Sequence, residues 1–130
     1  MQQPVMPDEL GDPPAHYAHA VLVTQASRWL HSAGVVPVDR DGAVPEGVPQ
    51  QATLIWRNIA TILAEADMTA ADIVSVTTYV VASAMERGLG QAMAERDAFL
   101  GGRLIASTLV TVPALAQPAW LIEIAVVAAR

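Results

Sequence analysis

The sequence predicts an α+β domain in the order β-β-α-β-α-β, with two helices packed on one face of a mixed sheet. Three patterns indicate this fold class. Residues 51–66 repeat apolar side chains at helical spacing, residues 73–81 alternate Ser or Thr with apolar residues, and residues 120–128 are apolar on both faces. The length of 130 residues suits one core. We therefore expect a single domain over 1–130 that opens with an irregular segment, 1–15.

The first half of the chain is predicted to contain two strands and one helix. Residues 20–38, AVLVTQASRWLHSAGVVPV, are rich in Val, Leu and Trp and are predicted as two strands joined near 25–27. Residues 51–66 are predicted as an amphipathic helix. Its apolar face carries Ile55, Ile59, Ile62, Leu63 and Ala66. Asp67 follows where a helix C-cap tolerates left-handed geometry, and Thr69 can cap a short turn.

The middle of the chain is predicted to add a strand and a second helix. Residues 73–81, IVSVTTYVV, alternate as a strand does. Residues 83–100 begin with Ser83 and Glu86 at the spacing of a capping box, which predicts a helix over this range. One stripe of this helix would carry Met85, Leu89, Met93, Arg96 and Leu100, and its first turns are weakened by Gly88 and Gly90.

The last two predicted strands, 105–112 and 120–128, are joined by PALAQPA. The final strand has Trp120, Ile122, Ile124 and Val126 on one face and Leu121, Ala125 and Val127 beside Glu123 on the other. Because two helices cover only one face of a sheet, a strand that is apolar on both faces predicts contact with sister subunits. The hydrophobic content of 53%, against 15% charged residues, supports the same expectation.

Composition excludes several classes of protein. The chain has no cysteine and no lysine, so disulfides, thiolate nucleophiles and lysine Schiff bases are ruled out. The net charge of -6 without a basic cluster argues against a nucleic-acid partner, since phosphate binding needs grouped cations. No uncharged stretch is uniformly apolar over the length of a membrane span, and the acidic, Pro-rich start does not resemble a secretion signal. We expect a cytoplasmic protein with no membrane partner.

One carboxylate, Glu123, stands within the apolar run AWLIEIAVVAAR. An unpaired carboxylate is costly to remove from water, so this residue needs a partner, a cavity or a chemical role. Two interpretations stay open from the residues alone. Glu123 is either a cleft carboxylate that positions or deprotonates water, or one half of a salt bridge across a subunit interface, with Arg28 or Arg103 as its partner.

Three segments together resemble the RidA/YjgF family of reactive-intermediate deaminases, which are also known as endoribonuclease L-PSP-like proteins. They are RWLHSAGVVPVDRDG, NIATILAEADMTAADIVSVTTYVV and STLVTVPALAQPAWLIEIAVVAAR, and the likeness covers roughly 16–130. The resemblance implies a chorismate-mutase-like fold, homotrimers, and clefts at the subunit interfaces. It agrees with the two-faced last strand.

The resemblance also implies site residues. Glu123 matches the glutamate that holds the attacking water in imine-deaminating members. Tyr17 matches the family's tyrosine near the pocket, and Gly34 matches the glycine of its Ser-Gly-Gln-like turn. The family's substrate-gripping arginine is replaced here by Ser107, and Met93 occupies a position where many members carry Asn.

The missing arginine changes the expected substrate. A guanidinium grips a carboxylate through two charge-assisted hydrogen bonds, which the hydroxyl of Ser107 cannot replace. The usual 2-imino acids are therefore not the expected substrates. Ser107 and Thr108 are interpreted either as contacts to a neutral polar substrate or as ordinary strand residues. Arg103, four residues earlier in the chain, is the candidate that could reach into the site from its loop.

The histidines and tryptophans are given simpler interpretations. His16, His19 and His31 would need acids from elsewhere to bind a metal, so no metal site is expected. A Ser-His-Asp triad is not indicated, because no Gly-x-Ser-x-Gly motif is present. Trp56 and Trp120 are predicted to anchor the core or an interface.

Three functions follow from these observations. The leading hypothesis is a RidA-like homotrimer that adds water to, or moves protons on, a small reactive imine or enamine, with no cofactor. Glu123 would orient the water, Ser107 would contact the substrate, and backbone amides near Gly34 would steady a developing charge. The second hypothesis is a non-catalytic small-molecule binding trimer. Endoribonuclease activity, the third, is disfavoured by the acidic charge balance.

Overall fold

Two helices packed on one face of a four-stranded mixed sheet form the body of the protein, as predicted from the sequence. The structure is a computed structural model that describes residues 1–130. Its strands are β1 (Gln2–Val5), β2 (Ala20–Val23), β3 (Trp29–His31), β4 (Ile73–Val81), β5 (Ala106–Val112) and β6 (Ile122–Ala129). Its helices are α1 (Val48–Glu65) and α2 (Leu89–Phe99).

The main sheet has the order β3-β6-β4-β5. β4 and β5 are parallel, and they are joined through α2, whereas β6 is antiparallel to both of its neighbours. β6 therefore lies in the interior of the sheet, where it pairs along one side with β3 and along the other with β4. The chain thus has the α+β, chorismate-mutase-like architecture of the predicted fold class.

The two faces of the sheet differ in what covers them. Val76, Val80 and Ile124 face the helices and are almost fully buried. The opposite face, which we call the open face, carries side chains that are half-buried or exposed. From the strand register it comprises Ser75, Thr77 and Tyr79 of β4, Thr108 and Val110 of β5, and Glu123, Ala125 and Val127 of β6.

The core forms between the helices and the sheet, as the periodicity of the first helix predicted. Ile55, Ile59 and Trp56 of α1 are buried there, and the Trp56 ring stacks on Phe99 of α2 with ring centroids 4.8 Å apart. The prediction that Trp56 anchors the core is confirmed. Ile62 was expected on the same buried face, but it is 37% exposed.

Between α1 and β4 the chain turns as predicted. Asp67 has φ of 54°, which is left-handed geometry just after the helix. The Thr69 hydroxyl accepts a hydrogen bond from the Ala71 N–H, and the Asp72 carboxylate accepts one from the Thr69 N–H. This capping box closes the short turn before β4.

Three sequence-based expectations need correction. The segment 1–15, predicted to be irregular, contains β1, which pairs antiparallel with β2. The two strands predicted in 20–38 are present, but they do not share a sheet, since β3 pairs with β6. The second helix begins at Leu89 rather than at residue 83, because Gly88 is left-handed with φ of 108° and interrupts the helical path.

Candidate functional site

A short turn over residues 32–35 lies along the start of β6 and places Gly34 next to Glu123. The backbones of Val35 and Ile124 exchange two hydrogen bonds of 2.7 and 3.1 Å. Two residues on, the Val126 N–H donates to the Ser32 hydroxyl at 2.9 Å. These hydrogen bonds fix the register of the turn against β6, so backbone pairing determines that Gly34 lies next to Glu123.

The Glu123 carboxylate lies so close to Gly34 that any side chain at that position would displace it. A Cβ built on Gly34 would lie 2.0 Å from Oε2 of Glu123 and 2.7 Å from its Cδ. Since φ of Gly34 lies outside the left-handed region, glycine is favoured here by the close approach of the carboxylate and not by backbone geometry. Glycine thus allows the carboxylate to rest on the backbone of the turn.

Within the chain, the half-buried Glu123 has no cationic partner. The two arginines considered as partners are engaged elsewhere: Arg28 donates to the carbonyl of Ala66, and Arg103 donates to other groups described below. The Tyr79 side chain lies directly opposite Glu123 on the open face. The sheet therefore presents a carboxylate that no basic side chain of the same chain neutralises.

A second group of predicted residues lines a pocket of about 370 Å³ at the β5 edge of the sheet. Its polar side chains are His16, Tyr17, Arg96, Asp97 and Ser107, and its apolar ones are Ala15, Met93 and Leu109. The segment before β2 joins this edge because the Ala18 N–H donates to the Ile105 carbonyl at 2.8 Å. That bond holds the neighbouring Tyr17 beside Ser107.

Sequence reasoning missed two functional candidates of this pocket, Asp97 and Arg96, of which Arg96 is the more deeply buried. It projects from α2, only 5% of it is exposed, and its Nη1 donates to the Ser107 hydroxyl at 2.9 Å. Its Nε and Nη2 both donate to Oδ1 of Asp97, at 3.1 and 3.0 Å. The sequence did carry a signal, because an arginine on an apolar helical stripe must find polar partners when it is buried.

The other predicted site residues fall outside this pocket. Thr108 is exposed on the open face, opposite Thr77 of β4. Arg103 does not reach the pocket, contrary to its interpretation as a substitute arginine. Its guanidinium donates to the carbonyls of Ala70 and Ile73 and to the Gln2 side chain, at 2.8 to 3.2 Å. Arg103 therefore ties the N-terminal strand to the turn before β4.

Glu123 and Ser107 do not meet within one chain. In the strand register, Glu123 is opposite Tyr79, and Ser107 is opposite Val76 one strand further on. Three residues along a strand and two strand spacings separate their Cα atoms by about 14 Å, and their side chains project from opposite faces. A small substrate could contact both residues only if they came from different protomers.

The histidines make backbone contacts. His16 Nε2 is 2.7 Å from the Gly102 carbonyl oxygen, and His19 Nε2 is 2.8 Å from that of Gly11. The structure contains no group of three His, Asp or Glu side chains placed to hold a metal ion. Neither helix combines the length and apolar character that crossing a membrane requires.

Comparison with known proteins identifies the family. A family model described as endoribonuclease L-PSP matches residues 9–130. The crystal structure of YyfB from Yersinia pestis, described as a protein of unknown function of the conserved Rid family, is 30% identical to the chain. It superposes with a TM-score of 0.86 over 99% of this chain and 98% of YyfB. The chain belongs to the RidA/YjgF family.

Less similar solved structures share the fold. NMB1025 of Neisseria meningitidis, a YjgF family protein, is 25% identical, with a TM-score of 0.68 over 92% of this chain and 91% of its own. TdcF of E. coli, solved with bound serine, is 20% identical, with a TM-score of 0.69 over 88% and 87%. Comparison with curated protein sequences gives no match.

Proposed function

We propose that this RidA/YjgF protein acts on a small reactive imine, enamine or related metabolite by adding water or moving a proton, and that it is not a standard 2-imino-acid deaminase. The observation that carries the proposal is the carboxylate of Glu123, which is half-buried, has no cationic partner in the chain and rests against Gly34. A carboxylate held in this way can accept a proton from water without first breaking an ion pair.

In the proposed reaction, Glu123 takes a proton from water as the water oxygen bonds to the imine carbon. The C=N electron pair moves to nitrogen, which is protonated, and a carbinolamine forms. Loss of ammonia from that intermediate gives the carbonyl compound, so imine and water yield ketone and ammonia. With an enamine, the same carboxyl group would deliver the proton to carbon. The backbone of the Gly34 turn would steady the developing charge.

We further propose that the complete site lies between protomers of a homotrimer. Glu123 and Ser107 are about 14 Å apart within the chain by strand spacing, on opposite faces of the sheet. The open face also presents half-buried Ala125 and Val127, which are side chains suited to packing against another subunit. TdcF, which shares this fold, was solved with a small molecule, serine, bound.

The absence of a free guanidinium supports a substrate other than a 2-imino acid. The resemblance puts Ser107 at the family's arginine position, and the buried Arg96 beside it already donates two hydrogen bonds to Asp97. No exposed guanidinium is therefore present in this pocket to bind a carboxylate through two parallel hydrogen bonds.

An imine-trapping assay tests the proposal. Imines are produced from amino acids by an amino-acid oxidase and are trapped with semicarbazide. Ketimines that lack a carboxylate are produced by an amine oxidase from amines whose nitrogen is bonded to a secondary carbon. We expect the protein to lower the semicarbazone yield, and more so with neutral ketimines. Glu123→Gln should abolish the effect, a loss of about 100-fold or more for a general base. Glu65→Gln, an exposed change at the end of α1, is the matched control.

Equal yields with and without the protein across the whole panel would refute imine hydrolysis. The pocket beside β5 would then favour the second function, a trimer that binds a small metabolite without catalysis. The five polar side chains that line this pocket are the observation that favours this alternative. Binding without turnover in the same panel would establish it.

A further inference from the structure

The pocket beside β5 contains a buried arginine that directs three of its five N–H groups at side chains of the same chain. Only 5% of Arg96 is exposed, and three of its N–H groups donate to two side chains. Nε and Nη2 donate to one oxygen of Asp97, and Nη1 donates to Ser107. The Nε–Nη2 edge of the guanidinium, one of the two edges that can bind a carboxylate through two hydrogen bonds, is therefore occupied by Asp97 of the same chain.

These contacts also orient the Ser107 hydroxyl. A guanidinium has five donors and no acceptor, so Ser107 must accept the hydrogen bond from Arg96. The hydroxyl hydrogen of Ser107 is then free to be donated to something else. Since Ser107 lines the pocket, Arg96 turns this hydroxyl into a hydrogen-bond donor for whatever the pocket holds.

Asp97 neutralises the positive charge of Arg96 in this pocket. Its side chain is 39% exposed, it lies on the pocket wall, and it forms the one ion pair of the chain, with Arg96. The pair has no net charge, and its more exposed member is the anion. A carboxylate entering the pocket would gain no net attraction from Arg96 and would approach Asp97 as a like charge.

We propose that this pocket selects uncharged small molecules that present a carbonyl oxygen or an imine nitrogen as a hydrogen-bond acceptor, and that it discriminates against carboxylates. Ser107 is the donor to that acceptor, Arg96 is a positioning residue that acts through Ser107, and Asp97 determines specificity through its charge. The inference deepens the proposed function by naming the class of substrate, and it rests on that function only in taking the ligand to be the substrate.

Two probes that differ in one charge test this selectivity on the full-length protein. Pyruvamide and pyruvate share the same keto group, but only pyruvate carries a carboxylate. Titrations followed by NMR at the Ser107 amide and the Arg96 Nε–H should give tighter binding for pyruvamide, by about tenfold, because pyruvate approaches Asp97 as a like charge.

The variant Asp97→Asn removes the charge and keeps an oxygen that can accept from Arg96. We expect it to raise pyruvate affinity about tenfold while pyruvamide changes little, because the Arg96 charge is then uncompensated. Glu95→Gln removes an equal charge from an exposed position on the same helix and should leave both affinities unchanged. Ser107→Ala should weaken pyruvamide binding about tenfold through loss of the donor.

Three results would overturn the inference: tighter binding of pyruvate by the wild-type protein, no change of preference in Asp97→Asn, or no shift at the pocket residues with either probe. Glu123→Gln separates this inference from the proposed reaction. If selectivity persists in that variant and no imine is hydrolysed by any form of the protein, the reaction fails and the pocket assignment stands. If imine hydrolysis depends on Glu123 but the pocket prefers pyruvate, the proposed reaction stands and the pocket assignment fails.

Discussion

The two halves of the candidate site hold their charged groups in opposite ways. At the Gly34 turn, the Glu123 carboxylate lies against backbone and has no cation beside it. At the β5 edge, Arg96 is buried, and its charge is matched by Asp97. An unmatched carboxylate remains available to take a proton, whereas a matched guanidinium is available only to orient its neighbours. The first region is thus suited to chemistry and the second to recognition.

Among substitutions that keep Glu123 itself, the largest expected effect comes from adding one methyl group beside it. In Gly34→Ala the new Cβ would overlap Oε2 of Glu123, so the carboxylate must swing away from the turn. A displacement of about 1 Å costs about 100-fold in rate when a catalytic group is misplaced. Because the displaced atoms are the end of a flexible side chain, stability should change little. The imine-trapping assay and thermal unfolding measure the two effects.

Gly90→Ala is the control for that substitution. Gly90 lies in α2, where an added Cβ meets nothing within 4 Å, so activity should be retained. Full activity in Gly34→Ala would contradict the assignment of Glu123. A loss of activity that is matched by a loss of folding would instead make the turn a structural element.

Arg103→Ala contrasts a structural arginine with the arginine of the pocket. Removing three hydrogen bonds from its guanidinium should lower the free energy of unfolding by about 2 kcal/mol, since hydrogen bonds from charged groups contribute about 1.5–3 kcal/mol each and water replaces part of the loss. Pyruvamide binding should not change. Urea denaturation is the measurement, and Arg40→Ala, in an exposed loop, is the control.

If Arg103→Ala weakened ligand binding without lowering stability, Arg103 would have to reach the pocket after all. That result would restore its interpretation as a substitute for the family's arginine. Arg103 and Arg96 would then both contribute to ligand binding.

The smallest expected effect on turnover is that of substituting Ser32, whose side chain holds the Gly34 turn against β6. Its hydroxyl accepts from the Val126 N–H and donates to the Ala33 carbonyl. Ser32→Ala should cost about 1 kcal/mol of stability. It should also reduce turnover severalfold, because the turn that seats Glu123 is loosened. Ser27→Ala, at an exposed position, should do neither. Unchanged turnover in Ser32→Ala would show that backbone pairing alone positions the turn.

Much of the fold was predictable because it depends on local pattern. The periodicity of 51–66 predicted α1, and the alternation in 73–81 predicted β4 with the same bounds. The prediction for the second helix was wrong at its start, because Gly88 interrupts the helical path and the capping-box spacing at Ser83 does not overcome that break. β1 was missed because a strand of four residues depends on pairing with β2, which no local pattern reveals.

The candidate site divides in the same way. The sequence by itself determined that Glu123 is an exceptional carboxylate in an apolar strand, because the cost of burying charge applies wherever the strand lies. Only the tertiary structure decided that Gly34 seats this carboxylate and that Arg96 stands beside Ser107. It also placed Arg103 elsewhere. Those contacts join elements that are distant in the chain, or depend on the conformation of a long side chain. Strand register and helix packing therefore determine them, and the spacing of residues in the sequence does not.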